Sequence, residues 1–378
     1  MTWPMAAGLF LAVLALGYSL MAWLAICLLR PGPRRPETPA PEQPPVTVLK
    51  PLCGAEADLL EYLRSFCRQD YPKFQIVFGV RDTADPAIEV VRNLQAEFPQ
   101  LDLVIATDAP QRGSSRKVSN LINMMPLARY EFLVIADSDV RVAPDYLARV
   151  VHPLLDARVG IVTCPYVGRP RPGLWSLLAS VFVNDWFMPS ARIAALFGSR
   201  AFAFGATIAI RRQALTRVGG FAAIADQLAD DYRLGELTRR VGLRTVLSDV
   251  VVETCIAERS LGELVRHELR WLRTIRAVRP LGYTFAFISF GVPLAVAGAI
   301  LAKGSDLSLL MLALTILARF MLHAVAWKPR LRTASPWVLP LSDFLAFGLW
   351  CWGFVTSSVH WRDIRYRVAR DGSLHPIV

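Results

Sequence analysis

Glu131–Arg141, EFLVIADSDVR, runs an apolar β-strand pattern over Phe132–Ala136 straight into two carboxylates, Asp137 and Asp139, one residue apart. A strand end is a rigid platform, and open α/β sheets place ligands just beyond the carboxyl ends of their strands. Two acidic side chains at i and i+2, where the chain leaves extended geometry, can both reach a hard divalent cation whose other ligands are waters and a substrate diphosphate. Asp-Ser-Asp is equally an ordinary polar turn, so the surrounding chain has to decide.

Outward from this stretch, strand and helix patterns alternate from Val46 to about Val252. Val46–Lys50, Phe74–Val80, Leu103–Thr107, Phe132–Ala136, Val159–Thr163 and Ala206–Arg211 read as short buried strands. Glu56–Gln69, Pro86–Phe98, Pro144–Leu155 and Asp231–Val241 have helical periodicity. This alternation predicts an α/β domain with a largely parallel sheet. No G-x-G-x-x-G follows the first strand and no G-x-x-x-x-G-K-[ST] occurs, so dinucleotide and P-loop readings lose their main support.

The composition asks for membrane segments: 54% of the 378 residues are hydrophobic and the mean hydropathy is +0.37. Trp3–Leu29 carries no charge, is long enough to cross the hydrocarbon, and lacks a signal peptide's basic start, so it reads as a retained anchor. Pro31–Pro45 holds seven prolines in fifteen residues, with Arg30, Arg34 and Arg35 at its head. That suits a stiff tether leaving the membrane on the cytoplasmic side. Leu281–Leu301, Leu307–Trp327 and Pro336–Ser358 return to the membrane, with the basic stretch Lys328–Arg332 expected in the cytoplasm. The basic tail Arg362–Arg370 conflicts with three further crossings, which would end the chain outside. Either the last segment is a re-entrant or interfacial hairpin broken at Pro340 and Asp343, or the tail violates the charge rule; four crossings in total is the expectation carried forward. Arg319 and Asp343 interrupt apolar segments and are expected to pair or to face a polar cavity. The net charge of +11 suits anionic lipid, and no nucleic-acid recognition motif accompanies it. Cys27, Cys53, Cys67, Cys164, Cys255 and Cys351 show neither C-x-x-C nor zinc-ligand spacing.

VTVLKP (Val46–Pro51), DYP (Asp70–Pro72), VRDTADPA (Val80–Ala87), RKVSNL (Arg116–Leu121), ADDY (Ala229–Tyr232) and HELRW (His267–Trp271) occur in that order. Over roughly Val46–Arg279 the chain thereby resembles the ceramide glucosyltransferase family of GT-A glycosyltransferases. Through RSFCRQDYP, SRKVSNLINM and LADDYRLGELTRR it most resembles the bacterial hopanoid-associated branch. The resemblance implies an α/β, GT-A catalytic domain, Rossmann-like with a mostly parallel sheet, between N- and C-terminal transmembrane helices. The implied layout is an anchor at 1–30, a tether at 31–45, a cytoplasmic catalytic domain at 46–258, an interfacial helix at 259–280 and a membrane region at 281–378, in a multi-pass protein of a bacterial inner membrane.

The resemblance also assigns roles, each beside a plainer reading. Asp82 is implied near the uridine, although the residue alone suits a turn or helix start. Asp137 and Asp139 are implied as ligands of Mg2+ or Mn2+ at the diphosphate. Lys117 and Asn120 are implied as nucleotide or phosphate contacts, and are equally ordinary polar residues at a helix start. Asp230 and Asp231, as helical neighbours, point about 100° apart, so one of them is expected to face the reacting centre. The family pattern selects Asp231 as catalytic base, while either carboxylate also suits a helix N-terminus. Ser260-Leu-Gly-Glu263 is a capping box opening an amphipathic helix, with six arginines between Arg259 and Arg279. Arg270 and Trp271 match the family pattern there, whereas His267 stands where the family has Gln or Arg. Trp175–Phe197 reads as the lipid-side wall of the acceptor site or as ordinary core. The implied reaction is transfer from a UDP-sugar to a membrane lipid hydroxyl with inversion: N-acetylglucosamine to a polyhydroxylated hopanoid, or glucose to ceramide. A processive polysaccharide synthase shares the same aspartates and R-W helix.

Overall fold

The computed structural model describes residues 2–28, 43–56, 58–107, 110–199, 203–326, 336–355, 358–361, 364–369 and 373–376. Most of the tether and the basic stretch Lys328–Arg332 lie outside these. In chain order the elements are α1 (Trp3–Leu28), β1 (Val46–Pro51), α2 (Leu59–Cys67), β2 (Phe74–Gly79), α3 (Ala87–Glu97), β3 (Asp102–Ala106), α4 (Arg116–Met124), β4 (Phe132–Ala136), β5 (Val140–Arg141), α5 (Tyr146–Val151), β6 (Val159–Thr163) and β7 (Tyr166–Pro170). There follow α6 (Leu174–Val181), a π-helical turn (Phe182–Phe187), α7 (Met188–Leu196), β8 (Thr207–Arg211), α8 (Arg212–Arg217), α9 (Asp230–Arg240), β9 (Arg244–Leu247) and β10 (Val252–Ile256). The remainder is α10 (Leu261–Val278), α11 (Pro280–Phe285), α12 (Gly291–Leu301), α13 (Asp306–Ala326), α14 (Leu339–Trp352) and the strands β11 (Ser358–Trp361), β12 (Ile364–Val368) and β13 (Leu374–Pro376).

Two compact units result: Pro31–Tyr166 with Ser199–Thr254, and Met1–Arg30 with Val167–Gly198 and Cys255–Val378. The stretch Val167–Gly198, placed by the sequence inside one continuous domain, thus groups with the helical unit. The physical reason is its apolar helices: Ile193 packs with Ala22, Ala25 and Leu322, and Val181 with Leu339.

The α/β unit is built on a seven-stranded sheet of order β3-β2-β1-β4-β8-β6-β9. β1 pairs in parallel with β2 and β4, β2 with β3, and β6 with β9; β8 alone runs antiparallel, between β4 and β6. Val46, Val48 and Leu49 are fully buried, which is why these strands read as continuous apolar runs rather than alternating ones. The chain builds outward from β1 to β3 and returns on β1's other side as β4. The carboxyl ends of β1 and β4, at Lys50 and Ala136, therefore flank the switch point where such sheets bind ligands. The helix α4 was absent from the predicted elements; Ser115 starts it by accepting the Val118 N–H (3.3 Å).

In the helical unit, α1 buries a stripe of small residues, Gly8, Ala12, Ala15, Ser19, Ala22 and Ala25. A Cβ at Gly8 would lie 2.5 Å from the Gly298 carbonyl oxygen, so the backbones of α1 and α12 touch. Among the described residues, α1 and α13 are long and apolar enough to cross a membrane; Pro280–Ser289 and Gly291–Leu301, bent by 69°, form a third if they act as one crossing. Among the described residues, the expected segment Pro336–Ser358 holds a 3-10 turn (Pro336–Val338) that runs into the 14-residue α14. Arg319 and Asp343 do pair: the Arg319 Nε and Nη2 donate to Asp343 (2.9–3.0 Å), and its Nη1 donates to Asp185 Oδ2 (2.8 Å), which also contacts His323 Nδ1 (2.6 Å). Asp185 and Asp343 thus sit against one guanidinium beside a small, mostly apolar cavity of about 30 Å³, so the expected pairing is met.

Candidate active site

The turn after β4 is held from below by Lys50, whose ammonium donates to the Asp137 carbonyl and stands 4.0 Å over the Phe66 ring. Lys50 is fully buried at the end of β1, and burial pushes it down to about 7 even though Asp139 and Asp137 favour its charge. Lys117, in the first turn of α4, places Nζ 2.6 Å from Asp137 Oδ1 and 3.7 Å from Asp230 Oδ2. Burial opposes the charge on Lys117, but Asp137 and Asp230 overcome it and raise its pKa. Asp231 accepts from the Gly205 N–H through Oδ2 (2.8 Å) and from its neighbour Tyr232 N–H through Oδ1 (2.7 Å). Asp139 Oδ2 accepts from Thr254 Oγ1 (2.6 Å) across the β5–β10 pairing, where Thr254 opposes Val140.

Gly205, just before β8, forms the floor of this group. A Cβ there would lie 3.3 Å from Asp231 Oδ2, 3.4 Å from Lys117 Nζ and 3.5 Å from Asp137 Oδ2, filling the space on which three functional side chains converge. Because β8 runs antiparallel to β4, its start lies beside β4's end: Ala136 pairs with Thr207.

Four carboxylates therefore gather around two ammonium groups. Burial raises Asp139, helped by Asp137; burial also raises Asp230; and burial with the Asp230 charge pushes Asp231 up to about 6. A site with surplus buried negative charge and hard oxygen donors fits Mg2+ or Mn2+. Among the described residues no three His, Cys, Asp or Glu side chains converge as a metal cage.

Of the neighbours Asp230 and Asp231, Asp230 lies 3.7 Å from Lys117 Nζ, and the charge of Asp231 also favours the protonated lysine. Asp82 is exposed in the loop after β2, where its Oδ1 accepts the Ala84 N–H (2.9 Å) and closes a turn. Asn120 is buried, and its Nδ2 donates to the Gly79 carbonyl at the end of β2 (2.7 Å). A Cβ at Gly79 would fall 2.2 Å from Asn120 Oδ1, so that glycine makes room for the bond. Gly205 and Lys50 were missed by sequence reasoning. Their signals were a glycine immediately before an apolar strand and a lysine ending a buried one.

In the helical unit, α10 opens with the predicted capping box: Ser260 Oγ accepts the Glu263 N–H (3.2 Å) and Glu263 Oε2 accepts the Arg259 N–H (2.7 Å). His267 Nδ1 bonds the Glu258 carboxylate, and the imidazole stands edge-on to Trp271 at 5.1 Å, with Phe187 5.7 Å beyond. Glu268 is buried with Oε2 unpartnered; burial, then the Glu258 charge, raises it well above an ordinary glutamate while Arg270 opposes the rise.

A sequence profile described as glycosyl transferase family 21 matches residues 8–374. The chain belongs to this family. Among similar proteins, ceramide glucosyltransferase 1 of Caenorhabditis elegans is 26% identical over 212 residues, covering 56% of this chain and 45% of the relative. An N-acetylglucosaminyltransferase of Mesorhizobium japonicum is 26% identical over 243 residues, covering 61% and 56%. The family 21 chain spans about half the length of these curated relatives. In fold it is similar to a mannosyltransferase from Pyrobaculum calidifontis solved in complex with GDP-Man and Mn2+, with TM-score 0.53 and 22% identity over 93% of this chain and 99% of that one. The α/β unit therefore has the GT-A fold, with its mostly parallel sheet.

Proposed function

We propose that this family 21 chain moves a sugar from a UDP-sugar to the hydroxyl of a membrane lipid, with inversion at the anomeric carbon. The observation that carries the reading is the group Asp137, Lys117, Asp230 and Asp231 over Gly205, with Asp139 alongside, at the carboxyl end of β4. Asp137 and Asp139 would hold Mg2+ or Mn2+, which when bound supplies positive charge against the departing diphosphate. Asp231 accepts the acceptor hydroxyl's proton as that oxygen attacks the anomeric carbon, and the bond to the diphosphate breaks in the same displacement. Its pKa of about 6 leaves it ionised at neutral pH yet basic enough to take a proton. Lys117 pairs with the carboxylates and orients the diphosphate end, Asn120 holds α4 in place for it, and Asp82 contacts the uridine. Arg270 and Trp271 serve the acceptor or diphosphate. Glu258 occupies His267 Nδ1 and leaves Nε2 for substrate.

The reading places residues 1–30 as anchor, 31–45 as tether, 46–258, interrupted by Val167–Gly198 of the helical unit, as a cytoplasmic catalytic domain, 259–280 as an interfacial helix and 281–378 as the membrane region of a bacterial inner-membrane protein. For the substrates, the resemblance through RSFCRQDYP, SRKVSNLINM and LADDYRLGELTRR, together with the name of the rhizobial relative, favours N-acetylglucosamine and a polyhydroxylated hopanoid. The name of the nematode relative favours a second reading, glucose to ceramide. Mass spectrometry of lipids from cells with and without the chain tests both by the mass that the product gains. A polymer product would move the reading to a processive synthase, and no glycosylated lipid in either case would overturn it.

A further inference from the structure

The aromatic helix α14 is too short to cross a bilayer and exposes a row of apolar side chains. At 1.5 Å per residue its 14 residues reach about 21 Å, and the 3-10 turn Pro336–Val338 that leads into it adds about 6 Å, still short of a hydrocarbon thickness of about 30 Å. Trp337, just before it, is 85% exposed, Leu341 57% and Trp352 51%; Phe344 lies on the same row. Its polar side chain Asp343 is turned inward onto Arg319.

The packing of its two ends decides its orientation. Along α1, Gly8 and Ala12 meet Gly298, while Ala15 and Ser19 meet Gly291, so α12 runs antiparallel to α1. Leu312 joins the cluster of Ala15 and Leu322 that of Ala22 and Ala25, so α13 runs parallel to α1. The end of α13 and the approach to α12 through α10 and α11 therefore lie toward the same end of α1. α14 starts beside the first of these, with Leu339 in one cluster with Phe320 and Ala326. It finishes beside the second. Trp350 and Tyr283 exchange hydrogen bonds with each other's backbone carbonyls (2.9 and 2.7 Å), and Arg276 of α10 donates to the Gly353 carbonyl. Phe347 and Trp350 pack on Phe290 between the two, and β11 then lies against α10.

We infer that α14 lies in the plane of the membrane, in the leaflet on the α10 side, with the row Trp337, Leu341, Phe344 and Trp352 inserted among the lipids of that monolayer. The occupant of this apolar face is lipid because α1 and α13 of the same unit, both long and apolar enough to cross a membrane, also expose large apolar side chains, and because tryptophans at both ends suit the head-group boundary. Crossings are then three, by α1, the bent α11–α12 pair and α13, and the basic tail returns to the face of the tether. The conflict between the tail's charge and a fourth crossing disappears. The inference rests on the membrane reading of the helical unit and on nothing about sugar or acceptor.

The test uses the full chain in sealed vesicles of phosphatidylcholine and phosphatidylglycerol. Nitroxides at Leu341→Cys and Trp352→Cys, with the native cysteines replaced, should report depths within about 5 Å of one another; a crossing helix would separate them by roughly 16 Å. Protease-cleavable tags in the tether and after Val378, which need no cysteine changes, should be cut together or protected together. Opposite protection, or the graded depth, overturns the inference. Release of the chain by alkaline carbonate would instead overturn the membrane reading beneath it.

Discussion

Asp231→Asn probes the proposed base at a single atom. Both oxygens of the Asp231 carboxylate accept backbone N–H groups, from Gly205 and Tyr232. An amide can accept from only one of them, and the donor left facing its NH2 group costs about 1–3 kcal/mol. Against this, burial and Asp230 hold Asp231 at about 6. That elevation of about two pH units corresponds to roughly 3 kcal/mol working against the charge at neutral pH, which the neutral amide removes. The two effects oppose one another and are similar in size, so the folded state should change by no more than about 1–2 kcal/mol. Turnover is a different matter, because proton acceptance occurs only as the transition state forms. Initial rates of labelled sugar entering organic-soluble lipid should fall by about 10²–10⁴, while UDP affinity by calorimetry stays within a few-fold and the thermal midpoint barely moves. Asp230→Asn should lose much less. Near-normal turnover in Asp231→Asn, or the larger loss at Asp230, would refute the assignment of the base.

The same residue sets an acid limb. Asp231 carries a proton below about pH 6, so wild-type turnover should rise with pH through that value and the limb should vanish in Asp231→Asn; its contribution to stability is full below about pH 4 and is lost as pH rises through about 6. Chelation with EDTA, or Asp137→Ala, should abolish turnover and weaken UDP binding, and full activity in excess EDTA would remove the metal. Gly205→Ala puts a methyl 3.3 Å from Asp231 Oδ2 and 3.4 Å from Lys117 Nζ. Displacing those groups by a few tenths of an ångström should lower kcat/KM about tenfold or more, and an unchanged value would show that the space over Gly205 is unused. Arg319→Met strips Asp185 and Asp343 of their shared guanidinium and should cost about 3–5 kcal/mol of stability in detergent. Asp343→Asn, which leaves the Arg319–Asp185 pair, should cost less; the reverse order would contradict the cluster's role.

What the sequence by itself determined is the part written in local periodicity and local capping. Apolar runs of strand length alternating with amphipathic helical stretches marked the α/β unit. Ser260 and Glu263 announced the start of α10, and the uncharged run from Trp3 announced α1. The D-x-D at the end of β4 was legible because a strand and the turn that leaves it are contiguous in the chain. Only the tertiary structure decided the rest. β8 enters the sheet antiparallel, and that reversal carries Gly205 to the end of β4, where it meets Asp137, Lys117 and Asp231. Helical geometry separates Asp230 from Asp231 by about 100°, yet both charges act on Lys117, because that ammonium comes from another helix. Asp343 and Arg319 each looked costly alone, and their pairing, with Asp185 as the third member, joins segments far apart in sequence. α14 carries a crossing segment's apolar composition, but the partners at its two ends set its direction. Periodicity records which face of an element is apolar; which partner covers that face, and from which direction, depends on contacts between distant residues that no local pattern encodes.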